Sequence, residues 1–478
     1  MLTRLHLFAL SPFILVCATA VTVMLGIAWR RQHTVTALVS ALGLNLALVA
    51  LWLVWRTGEV PTLLLVFDNV AVFATLLILV SALACVTLSH AYLDGYPGPR
   101  EEFYLLLLCA AAGAMVLVAS RHLATVFFGL ELLSMPLYGM LAYTYRDAHS
   151  LEAGIKYLIL SAAASAFLLF GMALLYSQTG RLDFPGVAAG FAAGAWALAG
   201  AGLMLVGLGF KLSLVPFHLW TPDVYQGGPG PAIAFLATAS KLAVFVVLMR
   251  LVMEIPAFRA DWLPGLLAAL AIVTMLAGNL LALLQSNLKR LLGYSSIAHF
   301  GYLLVALVVA DGLALETAGV YLITYLVATL GAFGVVTLLS SPYSGDDASA
   351  LHHYRGLFWH RPYLAAVLTI TLLSLAGIPF TAGFIGKFYI LMLGVEAERW
   401  WLVAAIIVGS VIGLYYYLRV MVTLYLVEPG MMRRDAPSDW GMHAGGLVVL
   451  GLALLVLLLG VYPAPMIDWM AGMTLFAG

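Results

Sequence analysis

Gly209-Phe-Lys-Leu-Ser-Leu-Val-Pro-Phe-His-Leu-Trp-Thr-Pro222 sets a lysine, a histidine and two prolines inside an apolar run. An ionisable side chain at the centre of a bilayer is unfavourable by about 3 kcal/mol on insertion scales. Lys211 therefore implies surroundings made of protein or water rather than lipid. Pro216 has no N–H to donate and clashes with the carbonyl of Leu212, and Pro222 does the same to His218. The helix is thus expected to open just beyond Lys211. A lysine snorkelling to an interface beside a simple proline kink is the plainer reading of this stretch by itself.

Working outward, the chain of 478 residues is 64% hydrophobic and 9% charged, with a mean hydropathy of +1.06. That composition lies outside the range of soluble globular proteins and defines an all-α polytopic membrane protein. The formal net charge of zero offers no basic surface for nucleic acid. Cys17, Cys85 and Cys109 stand singly in apolar runs, which gives no metal, iron–sulfur or disulfide pattern. Residues 1–26 have the Arg4 and Ala18-Thr-Ala20 features of a signal peptide. Their membrane length and the Arg30-Arg31 that follows fit a first span with a cytoplasmic anchor better.

At about twenty apolar residues per span the chain holds about fourteen spans, roughly 6–27, 36–55, 68–90, 102–120, 122–144, 153–177, 190–220, 230–253, 262–285, 288–310, 316–340, 362–394, 400–427 and 443–463. The seventh and twelfth are long because they are broken, the twelfth at Gly377-Ile-Pro-Phe380. Ser340–Arg361, with Asp346, Asp347, His352 and His353, is too short to hold a soluble core. One set of connections carries Arg30, Arg31, Arg100, Arg146, Lys156, Lys289, Arg290, Arg355, Arg361, Arg433 and Arg434, and the other Arg4, Arg56, Arg121, Arg181, Arg250, Arg259 and Arg399. Eleven against seven puts the first set in the cytoplasm and both termini outside.

With connections removed, Lys211, Lys241 and Lys387 remain, and among the acids only Glu131 stays deep; Asp68 and Asp311 are expected at an interface. Four such charges cost about ten kcal/mol together, too much to attribute to packing. They also recur in order. Spans four to eight and nine to thirteen each have a long, proline-broken fourth member bearing a lysine, Lys211 before Pro216 and Lys387 after Pro379. Each unit's last span adds a cation, Lys241 or Arg419, and its second span an ionisable residue, Glu131 or His299. An odd number of spans per unit makes the two copies insert in opposite directions, the inverted-repeat plan of ion-coupled transporters. The implied divisions are an N-terminal three-helix segment (1–100), a first five-helix repeat (101–255), a second (256–428) and a C-terminal helix (429–478).

Desolvation disfavours a charged lysine, and a nearby carboxylate restores it. At roughly 6 Å and an effective dielectric of about 20, Glu131 would stabilise a charged Lys211 by about 3 kcal/mol. A changing separation would therefore load or unload a proton. In this reading Glu131 modulates Lys211, Lys241 passes the proton sideways, Lys387 delivers it outward, and His218 and His299 bridge the gaps. A static Glu131–Lys211 ion pair and merely hydrogen-bonded histidines are the duller readings. Arg419, beside Tyr415-Tyr-Tyr417, is expected to snorkel.

Phe128-Gly-Leu-Glu-Leu-Leu-Ser-Met-Pro-Leu-Tyr138, Gly209 to Tyr225, Ser240-Lys-Leu-Ala-Val-Phe245, Leu288-Lys-Arg-Leu-Leu-Gly-Tyr-Ser-Ser-Ile-Ala-His299 and Gly377-Ile-Pro-Phe-Thr-Ala-Gly-Phe-Ile-Gly-Lys-Phe388 resemble the antiporter-like membrane subunits of respiratory complex I. The resemblance implies that Glu131, Lys211, Lys241 and Lys387 form a proton path. It further implies that NAD, FMN, iron–sulfur clusters and quinone belong to partner subunits, with no cofactor or metal in this chain. The implied partners are neighbouring antiporter-like and small membrane subunits and lipid, in a bacterial cytoplasmic (inner) membrane. Lys387 stands where the M-type subunit is expected to carry Glu, and the long lateral helix of the L-type is missing after span fourteen, so the N-type is favoured. A subunit of a multisubunit cation/proton antiporter or membrane-bound hydrogenase, and a non-pumping membrane scaffold, stay open as alternatives.

Overall fold

The computed structural model describes residues 4–473 apart from 57, 59, 95, 192–193, 260–261, 341–347 and 428–443. The expectations on Asp346, Asp347, Arg433 and Arg434 fall outside the described residues. Thirteen helices among the described residues are long and apolar enough to cross a membrane. One more crossing is assembled from Pro362–Ala376 and Ala382–Glu396, in agreement with the expected set. The only strands among the described residues are Val60–Pro61 and Val66–Phe67, a short antiparallel pair in the connection before span three.

Small residues fix how the helices approach. Gly113 of Glu101–Val118 lies against the backbone of Leu133, and Gly129 of Leu123–Leu141 against that of Leu117. The same device joins the first two helices of the second unit, where Gly278 of Trp262–Leu283 faces the backbone of Ala298 and Gly301 of Leu288–Val309 that of Met275. A side chain at any of these glycines would push the hairpin apart, so the close helix pair is written twice into the chain. Gly230–Glu254, Leu288–Val309 and Gly312–Leu339 are enclosed almost throughout and form the centre of the bundle. Ser11–Trp29, Ala148–Thr179 and Ala444–Val461 keep wide apolar faces exposed, as helices facing lipid or a neighbouring subunit must.

Arg250 and Asp68 depart from expectation. Arg250 lies inside Gly230–Glu254 rather than in an outer connection, and Asp68 is buried rather than interfacial. The guanidinium donates Nη1–H to Asp68 Oδ2 at 2.8 Å, Nη2–H to Asp68 Oδ1 at 2.5 Å and Nε–H to the Val118 carbonyl at 3.0 Å. Asp68 also caps Asn69–Leu93 by accepting from the Ala71 amide. Three helix ends are thereby tied together by a fork that matches a carboxylate in geometry. Neither residue reads as deep because each lies near the end of an apolar run, and only a contact 182 positions apart encloses them.

Removing one partner of a buried ion pair strands the other. Arg250→Ala and Asp68→Ala should each destabilise the fold by about 3–5 kcal/mol. Substituting both by apolar residues, Asp68→Leu with Arg250→Met, should recover much of that loss. Thermal unfolding of the purified complex checks this ordering.

Candidate functional site

Ala195–Leu212 ends one residue after Lys211 and is capped by Ser213 in the left-handed conformation (φ 63°). Helix resumes at Trp220–Gly227, so the break expected beyond Lys211 is present. Pro222 plays a different part from the one expected: it sits in the first turn of the short helix, where no N–H is needed, and starts helix instead of opening it. The polar groups between the halves are paired by backbone turns, such as Leu214 N–H to the Gly209 carbonyl at 2.8 Å, and by side chains. Val215 N–H donates to Thr274 Oγ1 at 3.1 Å, Trp220 Nε1–H to the Phe210 carbonyl at 3.0 Å, and Thr221 Oγ1 to Ser213 Oγ at 2.6 Å. Such partners are what make irregular backbone tolerable at membrane depth.

The second break repeats the arrangement. Pro362–Ala376 ends at Gly377 (φ 83°), and Gly383 N–H donates to Ser374 Oγ at 2.9 Å as helix resumes at Ala382–Glu396. Lys387 reaches back across this break and donates to the Ala376 carbonyl at 2.9 Å. Lys211 lies in the last turn of its own half-helix. The Lys387 ammonium therefore caps the C-terminal end of the preceding half-helix, and Lys211 stands in the last turn of its own, an end where the helix dipole favours a cation.

Around Lys211 the partners are hydroxyls. Its Nζ donates to Ser134 Oγ at 2.6 Å and Ser161 Oγ at 2.5 Å, Ser161 also meets Tyr138 OH at 2.8 Å, and the Tyr157 ring lies 5.4 Å from Nζ. Glu131 accepts from Ser165 Oγ at 2.5 Å. Glu131 and Ser134 stand one turn apart on one helix, Ser165 and Ser161 one turn apart on the next. The carboxylate and the ammonium thus occupy adjacent rungs, with no ion pair between them among the described residues. A static contact pair is not the arrangement found.

Lys241 is fully buried. It lies eleven residues into Gly230–Glu254, about 17 Å along the helix axis and so near the middle of a hydrocarbon core of about 30 Å. Its Nζ donates to Ser296 Oγ at 2.9 Å, and the single O–H of Tyr325 lies 2.7 Å from the same oxygen and 3.1 Å from the Ala237 carbonyl. Ala237 lies in a π-helical turn, Leu236–Ser240, directly before Lys241. Such turns insert a residue, loosen the local carbonyls and recur at functional positions. Phe300, Tyr225 and Trp220 rings surround Nζ at 5.2, 5.6 and 6.0 Å.

His299 continues the row. Its ring packs 5.2 Å from Tyr325, Nδ1 meets Tyr321 OH at 2.6 Å, and Nε2 meets Tyr417 OH at 3.2 Å, with Tyr417 bonded in turn to Ser295. Tyr302 stands between His299 (6.0 Å between rings) and Lys387 (5.6 Å from Nζ to the ring). Lys387 lines a mostly apolar cavity of about 300 Å³ with Gly377, Phe384, Ile406, Ser410 and Leu414. The buried Lys211, Lys241 and His299 and the half-buried Lys387 are therefore brought into one row. His218 is not. It is buried within the first break, and its Nδ1 has no hydrogen-bond partner.

Several neighbours of the row are not legible in the sequence. Ser134, Ser161, Ser296 and Tyr325 carry no charge to mark them, and the π turn has no sequence signature. Lys289, expected in a loop, is fully buried and donates to the Gly228 carbonyl at 2.8 Å. Arg419 is half-buried and reaches a span end, where it donates to the Leu283 carbonyl at 2.9 Å and the Gln285 carbonyl at 2.6 Å, closing the end of Trp262–Leu283.

Ammonium groups spaced along hydroxyls, an imidazole and phenols, on helices broken in the same way twice, define an antiporter-like membrane subunit. The profile of the family described as "NADH:quinone oxidoreductase/Mrp antiporter, TM" matches residues 120–413. The chain is 70% identical over 467 residues to the NADH-quinone oxidoreductase subunit N of Chromohalobacter salexigens, covering 97% of this chain and 98% of the relative. With the subunit N of Ectopseudomonas mendocina it shares 60% over 476 residues, 98% and 96% of the two chains. A chain of respiratory complex I from Thermus thermophilus superimposes with a TM-score of 0.83 at 36% identity, covering 97% of this chain and 100% of that one. The chain belongs to the NADH-quinone oxidoreductase subunit N family.

Ser296 Oγ is shared by Lys241 and Tyr325, so Ser296→Ala should cost more than one ordinary hydrogen bond. A lost bond to a charged group is worth about 1.5–3 kcal/mol, enough to slow any transfer through Lys241 by roughly tenfold or more. Proton translocation per NADH oxidised should fall in the assembled complex while Ser295→Ala has the smaller effect.

Proposed function

We propose that this chain is a proton-translocating, antiporter-like subunit of NADH-quinone oxidoreductase, in which protons move along Glu131, Lys211, Lys241, His299 and Lys387. The observation that carries the reading is the row itself: three lysines and a histidine, separated only by hydroxyl, phenol and indole side chains, inside an apolar bundle. Each lysine nitrogen faces oxygen acceptors that hold it in the charged form and aromatic or aliphatic walls that favour release. Glu131, one rung from Lys211, tips that balance. A proton enters from the cytoplasmic side through the first repeat, residues 101–255, passes at mid-depth from Lys241 through Ser296 and Tyr325 to His299, and leaves through the second, residues 256–428. His218 is a further relay group, in the break beside Lys211.

Partner subunits hold the NAD, FMN, iron–sulfur clusters and quinone, and neighbouring membrane subunits and lipid cover the exposed apolar faces. The membrane is a bacterial cytoplasmic (inner) one, with both termini on the outer side and residues 1–100 and 429–478 flanking the two repeats. The identity to subunit N relatives favours this reading over a cation/proton antiporter or hydrogenase subunit.

Lys211→Ala in the assembled complex tests it. Both NADH-driven quinone reduction and proton pumping should collapse, with assembly confirmed on a native gel. Full pumping from an assembled Lys211→Ala complex would leave the chain a scaffold.

A further inference from the structure

Asn279, on Trp262–Leu283, is a buried amide that the row of lysines and histidine does not use. Its Nδ2–H groups donate to the Met275 carbonyl at 2.8 Å and to Tyr302 OH at 3.0 Å, and Oδ1 accepts from Tyr416 OH at 3.1 Å. Tyr302 belongs to Leu288–Val309 and Tyr416 to Trp400–Tyr425. One side chain thus joins three helices of the second repeat. A polar group in an apolar interior is tolerated when it is paired, and three bonds pair this one.

The direction of each bond is fixed by what its partners can do. A carbonyl oxygen only accepts, so the Met275 contact settles which end of the amide is nitrogen. Asn279 has two N–H groups, and both are then committed. The Tyr302 oxygen is therefore an acceptor from Asn279, and its single O–H is left to point elsewhere. Ser410, a further hydroxyl that Tyr302 meets, lines the same cavity as Lys387. Tyr416, in contrast, spends its one proton on Asn279.

Backbone packing keeps this place clear. A Cβ on Gly409 would stand 2.6 Å from Tyr302 OH and 3.1 Å from Asn279 Nδ2, and one on Gly413 would stand 3.2 Å from Asn279 Oδ1. The two glycines lie one turn apart on Trp400–Tyr425, so that helix meets the amide and the phenol with bare backbone.

We propose that Asn279 is a positioning residue that aims the Tyr302 hydroxyl proton at the Lys387 cavity. This rests on the proton-path reading above. Tyr302 stands between His299 and Lys387. A proton that leaves its O–H goes to the Ser410 side, and one arriving from the His299 side restores the O–H, so the phenol ends unchanged. Without the amide the hydroxyl is free to turn its proton away, and the transfer to Lys387 loses its alignment.

The test measures protons translocated per NADH oxidised by the assembled complex in sealed vesicles. Asn279→Leu, which keeps the size of the side chain, and Tyr302→Phe should each lower the ratio at least twofold. Adding Asn279→Leu to Tyr302→Phe should lower it no further, because no hydroxyl is left to aim. Asn279→Leu with Tyr416→Phe removes the hydroxyl stranded by the first change, and should recover thermal stability without recovering the ratio. Gly409→Ala, which crowds the Tyr302 oxygen, should lower the ratio in the parent and not in Tyr302→Phe, and carries the test if Asn279→Leu fails to assemble. An unchanged ratio in assembled Asn279→Leu, a further loss in the Tyr302→Phe background, or a ratio that returns together with stability overturns the assignment. Those failures leave the pump reading standing, since it is judged separately by Lys211→Ala.

Discussion

An ammonium group inside a bilayer must find oxygen or be expelled, and the organisation of this chain follows from how three of them do so. Lys211 stands in the last turn of a half-helix, the Lys387 ammonium caps the end of another, and Lys241 lies beside a π turn with Ser296 as its acceptor. None of them is neutralised by a carboxylate in direct contact among the described residues. That leaves each held by neutral dipoles, a weaker grip than an ion pair and one that a nearby charge can alter. Arg250 shows the contrast. There a guanidinium meets Asp68 in a bidentate, fully buried pair, which fixes helix ends and cannot exchange protons near neutrality.

Breaking a helix in a membrane is costly unless the freed backbone is satisfied, and both breaks are built with the same economy. A left-handed residue ends the first half, and hydroxyls from Thr274, Ser213 or Ser374 receive or donate where the ladder stops. The close glycine contacts between the first two helices of each unit show the same repetition. The two breaks differ in where the lysine stands, Lys211 in the helix before the first break and Lys387 in the helix after the second.

Much of the fold can be read from the chain because its strongest signal, apolar length, is what a membrane demands. Lys211, Lys241, Lys387 and Glu131 stand out because a charge in such a run costs about 3 kcal/mol unless the fold encloses it. What stays hidden depends on contacts far apart in sequence or on residue types with a duller everyday role. Ser134 is an example: it donates to the Leu130 carbonyl one turn back, as serines in membrane helices commonly do, and only the fold shows its remaining lone pair turned to Lys211. Pro222 misleads because a proline reads alike whether it breaks a helix or begins one. Arg250 and Lys289 are lost to the loops because proximity to a span end reads as exposure.

The central claim is that the buried lysines give and take protons and do not merely supply charge. Lys241→Arg separates the two, since arginine keeps the positive charge and hydrogen-bonding capacity but stays protonated at any accessible pH. The measurement is protons translocated per NADH oxidised by the assembled Lys241→Arg complex in sealed vesicles. The account predicts that translocation collapses although the charge is retained; an unchanged ratio would contradict it, because a group that never releases its proton cannot be a relay.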